Sequence, residues 1–532
     1  MNPVAKNKDE PSKIYYRTRS SLNLNNPRFS DGLADGMGGE EVKRSWFGQM
    51  FSGKHAAAFT AALVVAALVV WWTVLAADDT SSGLGTKAAV TLSVFAVAVW
   101  FWIFSEIDDT YVALGAAVLL VVMGVLPEKI LFDSLGDDTV WLLLGSFVVA
   151  AGITASGLAT RAAAFIVSGA KSPRQLMHLS GAALVATAFA VPSTSGRAAL
   201  AMPVFLALAS VLRERPRLVL ALALLFPSVI LLSAVGSYLG AGAHLITSQI
   251  LATGGYPAFS FTDWMFYGLP LAVLASVICV ELVLYLFTDR DERSQALSIA
   301  VSDLQNHTTI KIRGRLTPDQ MKTCWLVSGV IVLWCTEPMH GIHPAIIALA
   351  GGLLMTSTGL GVVDLGKALK SVPWSLLIFM AATLAMGSAL VTSGAAAWAA
   401  DSMLGSIKQS GTGAGIMFVT IIVVISTAAH LVIQSRSARS AVLIPIVVSL
   451  APEVGVSAVA AAFASTAAAG FCHTMSSSAK PMALYAKIDD APTYSGRDLL
   501  KLSMWLAPIS VLLVLLFAFY IWPLIGMPLF VK

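Results

Sequence analysis

A polar string with two arginines, Gln434-Ser435-Arg436-Ser437-Ala438-Arg439-Ser440, stands between two apolar runs of membrane character. An earlier string, Pro192-Ser193-Thr194-Ser195-Gly196-Arg197, interrupts another apolar run in the same way. Both continue through small and aliphatic residues to a proline, Pro203 in one and Pro445 in the other. Laid on each other, they match Ser193 with Ser435, Ser195 with Ser437 and Arg197 with Arg439. An arginine near the middle of a bilayer costs about 2.5–3.5 kcal/mol even on a lenient scale, so each needs a partner, water or a function. Two repeats, each breaking an apolar helix at a Ser-rich tip, form the pattern of a secondary transporter with an internal two-fold. Arginines that snorkel to an interface or pair with acids in the bundle are the alternative, and that alternative leaves the recurrence unexplained.

Composition sets the class. Of 532 residues, 57% are hydrophobic and 12% charged, where a soluble protein carries about 25% charged residues. The chain is therefore read as an all-α polytopic membrane protein. A net charge of +4 with no long basic block gives no footing for nucleic acid. Cys279, Cys324, Cys335 and Cys472 lie in or beside apolar segments without metal-type spacing and read as small core residues. Residues 1–55 are polar and lack the apolar core and cleavage site of a signal peptide, so they read as a disordered cytoplasmic tail.

Spans are predicted over 56–76, 88–105, 110–126 and 140–158, with an acidic turn at Glu106, Asp108 and Asp109 and an acidic connection over 128–138. The interrupted element 175–212 has two arms of about fifteen residues, short of the roughly twenty a bilayer core demands. It is predicted to be a re-entrant hairpin with Ser193 to Arg197 at its tip. The next run, 216–251, is broken between Gly236 and His244, and a span over 264–287 follows. After the polar insertion 289–316 the same order returns: spans at 321–336 and 345–355, one reaching 391, a hairpin over 411–450, a broken run over 454–485, and a last span over 502–521.

The resulting division is a tail at 1–55, a first span and external loop at 56–87, a repeat at 88–288, a cytoplasmic linker at 289–320, a second repeat at 321–522 and an external C-terminus at 523–532. Five crossings plus one hairpin per half require the halves to be inverted, giving about 11 spans. With the N-terminus cytoplasmic, the basic stretches 160–174 and 289–316 fall inside and the acidic 128–138 outside, as the positive-inside rule requires.

A helix that begins at Ser193 or Ser435 presents free N–H groups and the positive end of its dipole to the cavity. Serine and threonine cap such a helix and offer hydroxyls to an oxyanion, so Thr194, Ser195 and Ser437 join the candidates, with Gly196 allowing close approach. Arg197, Arg436 and Arg439 supply planar forks for oxyanions. In the broken runs, Gly240-Ala241-Gly242-Ala243-His244 and Ser476-Ser477-Ser478-Ala479-Lys480 hold the same place, which adds Gly240, Gly242, His244, Ser477, Ser478 and Lys480. His244 also fits the role of a satisfied core histidine, the reading that prevails for His430 and His473.

From about 88 to 522 the chain resembles the divalent anion/sodium symporter family, the carboxylate and sulfate carriers of the ion-transporter superfamily. The resemblance rests on the tip strings, on Trp334-Cys335-Thr336-Glu337-Pro338 and on the Gly-rich breaks. It implies two sodium sites flanking a dicarboxylate, Ser-Asn-Thr tips, and an elevator in which a transport domain moves against a dimeric scaffold. This sequence departs from that pattern. The asparagine is Thr194 in one tip and Arg436 in the other, the threonine is Ser195 and Ser437, the threonine two residues on is Arg197 and Arg439, and the asparagine ending each break is His244 and Lys480. Sodium ligands have been exchanged for cations, which disfavours Na⁺ and leaves no expected cofactor.

The expectation is a multi-pass inner- or plasma-membrane transporter of small anions, foremost di- and tricarboxylates, working as a homodimer by exchange or with protons. His244 is the expected titrating group. A sulfate or sulfonate permease and a sodium-coupled symporter are the alternatives within transport. A cation/proton antiporter needs carboxylates at the tips, which are absent. An intramembrane hydrolase needs a His-Glu-x-x-His or Gly-x-Ser-x-Gly string at the marked residues, and neither is there. The chain is accordingly not read as an enzyme.

Overall fold

In hydrocarbon every backbone polar group needs a partner within the protein, and this sequence meets that demand with helices. The computed structural model describes residues 84–532 except 106, 298, 300–303, 306–311, 405–411, 489, 490 and 532. Among these the regular structure is helical, with one isolated bridge, Val456 to Phe530. The tail expected over 1–55 and the span expected over 56–76 lie outside the described residues.

The first half runs α1 (Thr86–Phe104), α2 (Asp109–Val122), α3 (Glu128–Leu135), α4 (Asp138–Ser156), α5 (Leu158–Val167), α6 (Pro173–Ala190), α7 (Thr194–Val211), α8 (Pro216–Leu232), α9 (Gly242–Thr253) and α10 (Phe261–Phe287). Two single 3₁₀ turns, Ser233–Gly236 and Tyr238–Gly240, separate α8 from α9. The second half runs α11 (Pro318–Cys335), α12 (Pro344–Thr356), α13 (Leu365–Lys370), α14 (Trp374–Thr392), α15 (Ala395–Leu404), α16 (Thr412–Ala428), α17 (Arg436–Leu450), α18 (Ala458–Ala468), α19 (Lys480–Ala486) and α20 (Gly496–Leu516), with the turn Ser476–Ser478 before α19. The order of α1–α10 thus recurs in α11–α20. Eight of the described helical stretches are long and apolar enough to cross a membrane; α2, α5, α12 and α18 are shorter apolar helices.

Local chemistry explains the boundaries. Ser172 caps α6 with Pro173 in its first turn, and Thr317 with Gln320, Ser260 with Asp263 and Ser495 with Asp498 form capping boxes at α11, α10 and α20. The arms of the first hairpin are each 18 residues, longer than expected, and those of the second are 17 and 15.

Packing crosses between the halves. α2 lies against α14 and α12 against α4, the same contact with the halves exchanged. Likewise α7, which carries the first tip, packs on α19 of the second break, and α17, which carries the second tip, packs on α9 of the first. Tyr485 of α19 fastens one of these crossings by donating its hydroxyl to Ala198 O at 3.1 Å.

Two expectations need revision. The 289–320 linker is more than a polar connection: Leu297, Ile299, Leu304 and Ile312 are buried in the core that holds α6–α8. Its backbone also pairs with the α5–α6 turn, Gly169 N donating to Ile299 O at 2.8 Å and Leu297 N to Lys171 O at 3.0 Å. Buried Arg161 anchors its end through Gly314 O at 2.6 Å and Gln320 Oε1 at 2.7 Å. Among the cysteines, Cys279 and Cys472 are buried as expected, whereas Cys324 is exposed on α11.

Candidate functional site

Both tips are built alike. Ser193 Oγ accepts from Gly196 N and Ser435 Oγ from Ala438 N, each at 3.3 Å, while Arg197 N and Arg439 N close the first helical turn onto Ser193 O and Ser435 O. The caps are those the sequence pattern calls for. Ser193, Thr194, Ser195 and Gly196 are half-buried, as are Ser435, Arg436 and Ser437.

The arginines do not simply project into open space. Arg197 is fully buried, and its guanidinium donates to Thr187 Oγ1 (2.9 Å), Leu184 O (2.7 Å), Ile230 O (3.0 Å) and Ser233 Oγ (2.6 Å). It ties α7 to α6 and to the end of α8. Arg436, from the other tip, takes the next carbonyl along, Leu231 O at 3.3 Å, and bridges to Gly470 O at 2.9 Å. Arg439 takes Phe471 O at 3.3 Å and donates to Cys472 Sγ at 2.7 Å; it too is fully buried, and its Nε has no partner. The three guanidinium groups therefore gather on consecutive carbonyls just where α8 and α18 end, at the negative poles of those helices. No ion pair among the described residues includes any of them.

The breaks match in backbone where the helix after each begins, and this corrects their pairing. Ala241 (φ −157°, ψ 148°) corresponds to Ala479 (φ −158°, ψ 144°), each following a single 3₁₀ turn and preceding a helix. Lys480 therefore stands opposite Gly242, and His244 opposite the buried Met482. This register differs by two positions from the one the strings suggest, because small residues fill both breaks. Gly240 is fixed by close approach: a Cβ there would lie 2.1 Å from Ala234 O. At Gly242 a Cβ would meet Leu376 Cδ1 at 3.0 Å and Ser437 Oγ at 3.2 Å, which brings the first break against the second tip.

His244 is buried, stacks on Trp264 (centroids 4.8 Å apart) and bonds through Nδ1 to Ser237 O at 3.0 Å. Such a satisfied core histidine is not set up to receive a ligand or exchange protons with a cavity, so its expected titrating role is withdrawn. His473 is also a core residue: its Nδ1 accepts from Cys472 N at 3.2 Å and its Nε2 faces Ser228 O at 3.4 Å. His430 bonds Thr427 O and Thr474 Oγ1. In the second break Ser477 and Lys480 are exposed and Ser478 is buried with an unpartnered hydroxyl.

Sequence reasoning missed Asp109. It begins α2 and is half-buried, with Trp102 Nε1 donating to its carbonyl at 3.2 Å. Its place at the head of an apolar helix was the available signal.

Eight membrane-length stretches, two capped tips and a cluster of buried guanidinium groups make this an all-helical, multi-pass membrane protein. Its fold is that of a transporter. The crystal structure of the Alcanivorax borkumensis YdaH transporter aligns with a TM-score of 0.51 at 14% identity, over 83% of this chain and 99% of that one. A family model described as citrate transporter matches residues 99–468, and the chain belongs to that family, which consists of transporters and not enzymes. Among its relatives, the sodium-dependent dicarboxylate transporter SdcS of Staphylococcus aureus (strain USA300) is 22% identical over 471 residues, covering 81% of this chain and 86% of SdcS. A protein of Cupriavidus necator named only as a membrane protein is 22% identical over 317 residues. That match takes in 58% of this chain, and spans 60% of the relative's length.

Proposed function

We propose that this protein is a secondary transporter of small carboxylates, and that its tip arginines act as built-in cations in place of bound sodium. The observation that carries the reading is the set of guanidinium groups of Arg197, Arg436 and Arg439 on the carbonyls of Ile230, Leu231, Gly470 and Phe471. Carbonyls gathered at the ends of broken helices are what a bare cation would bind; here guanidinium donors already occupy them. The charge stays in the protein, where no ion pair among the described residues cancels it and the surrounding medium is of low dielectric, so an incoming anion is strongly attracted.

The anion itself meets the half-buried tip groups Thr194, Ser195, Ser435 and Ser437, exposed Ser477 and the Lys480 ammonium. Family membership and the dicarboxylate named for the Staphylococcus relatives favour carboxylates over sulfate or sulfonates. In this reading the two halves are inverted in the membrane, and a domain holding both tips moves against a scaffold that dimerises.

Uptake of radiolabelled succinate, fumarate and citrate into proteoliposomes is the test. Rates that do not change when Na⁺ is replaced by choline are expected, with melting of the detergent-solubilised protein raised by carboxylates more than by sulfate or taurine. A saturable Na⁺ requirement would refute the built-in cations; stabilisation by sulfate or taurine alone would refute the carboxylate.

A further inference from the structure

The three tip guanidinium groups differ in how far their donors are committed. Arg197 has all three nitrogens bonded: Nε to Thr187 Oγ1, Nη1 to Ile230 O, and Nη2 to both Leu184 O and Ser233 Oγ. Arg436 bonds through Nη2, but it is half-buried and so not shut off from solvent. Arg439 is fully buried. Its Nη1 reaches Phe471 O, its Nη2 meets the Cys472 sulfur at 2.7 Å, and its Nε has no partner among the described residues. Nε and Nη2 share one edge of a guanidinium with their N–H bonds parallel, and such an edge fits a carboxylate two-pronged. In Arg197 that edge is filled by oxygens. In Arg439 it carries one sulfur, a weak acceptor, and one uncommitted donor. Elsewhere in this chain Arg174 turns the same edge to a carboxylate, with Nε at 3.0 Å and Nη2 at 2.8 Å from Glu281 Oε1.

We propose that Arg439 is the tip arginine that binds a substrate carboxylate directly, and that the Cys472 sulfur is a resident placeholder on its fork, displaced when the anion arrives. The proposal rests on the carboxylate site proposed above and adds which of its three guanidinium groups touches the ligand. In the exchange one carboxylate oxygen takes Nη2 from the sulfur and the other takes Nε, while Nη1 stays on Phe471 O just past the end of α18. Hydrogen bonds between ionised partners are about twice as strong as neutral ones, so a carboxylate outcompetes the thiol for this edge. The Cys472 backbone is held, its N–H donating to His473 Nδ1 at 3.2 Å. Rotation about the Cα–Cβ bond is therefore enough to withdraw the sulfur. Arg439 stands one helical turn along α17 from the half-buried Ser435 that caps the tip, so the anion has a short path from the tip hydroxyls to the fork. Arg197, with its edge filled, keeps a purely structural part.

The test is fumarate affinity of the purified full chain in detergent, read as thermal stabilisation over a range of fumarate concentrations, for wild type, Cys472→Ala, Cys472→Asp and Arg439→Lys. Cys472→Ala removes the competing sulfur and is expected to bind fumarate about threefold to tenfold more tightly than wild type. Cys472→Asp sets a fixed carboxylate on the fork, and is expected to melt at or above the wild-type temperature while losing at least about tenfold in affinity. Arg439→Lys keeps the charge without the fork and is expected to lose at least about tenfold as well. Affinity in Cys472→Ala no tighter than wild type overturns the placeholder, whether or not Cys472→Asp folds. Affinity within about twofold of wild type in Arg439→Lys or in a folded Cys472→Asp overturns the direct contact. These results leave the carboxylate site itself standing; a wild type that no carboxylate stabilises overturns that site, and this inference with it.

Discussion

Replacing Arg197 separates a structural guanidinium from a ligand-binding one. In Arg197→Met the chain keeps its length and apolar stem but loses four hydrogen bonds of 2.6–3.0 Å, to Thr187, Leu184, Ile230 and Ser233. Bonds from a charged donor contribute about 1.5–3 kcal/mol each, a gross loss of about 6–12 kcal/mol. Against this stands the desolvation penalty of a fully buried guanidinium, itself several kcal/mol, so the net destabilisation is about 3–5 kcal/mol. Intrinsic tryptophan fluorescence during a thermal ramp in detergent should show melting lowered by about 5 °C or more. Arg197→Lys, with three donors and the charge kept, should fall between the two. At a temperature where all three remain folded, fumarate affinity in Arg197→Lys should stay within about twofold of wild type, as expected when no direct contact to the ligand is lost. Wild-type melting in Arg197→Met together with abolished anion stabilisation would show that the guanidinium serves the ligand, and the account of a buried tie would be wrong.

Gly240→Ala drives a Cβ to 2.1 Å from the Ala234 carbonyl and should cost about 1–3 kcal/mol or prevent folding, whereas Gly242→Ala meets only side-chain atoms at 3.0 and 3.2 Å. Expression and melting should separate the two variants, and equal melting would contradict the close approach. Tyr485→Phe removes the one hydrogen bond from Tyr485 to Ala198 and should lower stability by about 1 kcal/mol, read as a small shift in melting. Ser435→Ala removes a cap worth about 1 kcal/mol and also a half-buried hydroxyl at the tip of the proposed anion site, so it should weaken fumarate binding more than Ser457→Ala, which removes only the cap of α18.

What the sequence determined by itself is what hydropathy and short-range hydrogen bonding control. Apolar runs gave the helices, Ser193 and Ser435 announced their own caps because a serine bonds the backbone three residues on, and the doubled string exposed the like order of the two halves. These interactions close within a single turn, so they are written in neighbouring residues. Tertiary structure decided where the long charged side chains went. A buried guanidinium must find oxygens wherever the fold offers them, and Arg436 finds its carbonyl on Leu231, 205 residues away. The crossing of each tip onto the other half's break, the pairing of Lys480 with Gly242, and the retirement of His244 into a stack on Trp264 were settled in the same way, by packing between segments that share no local sequence.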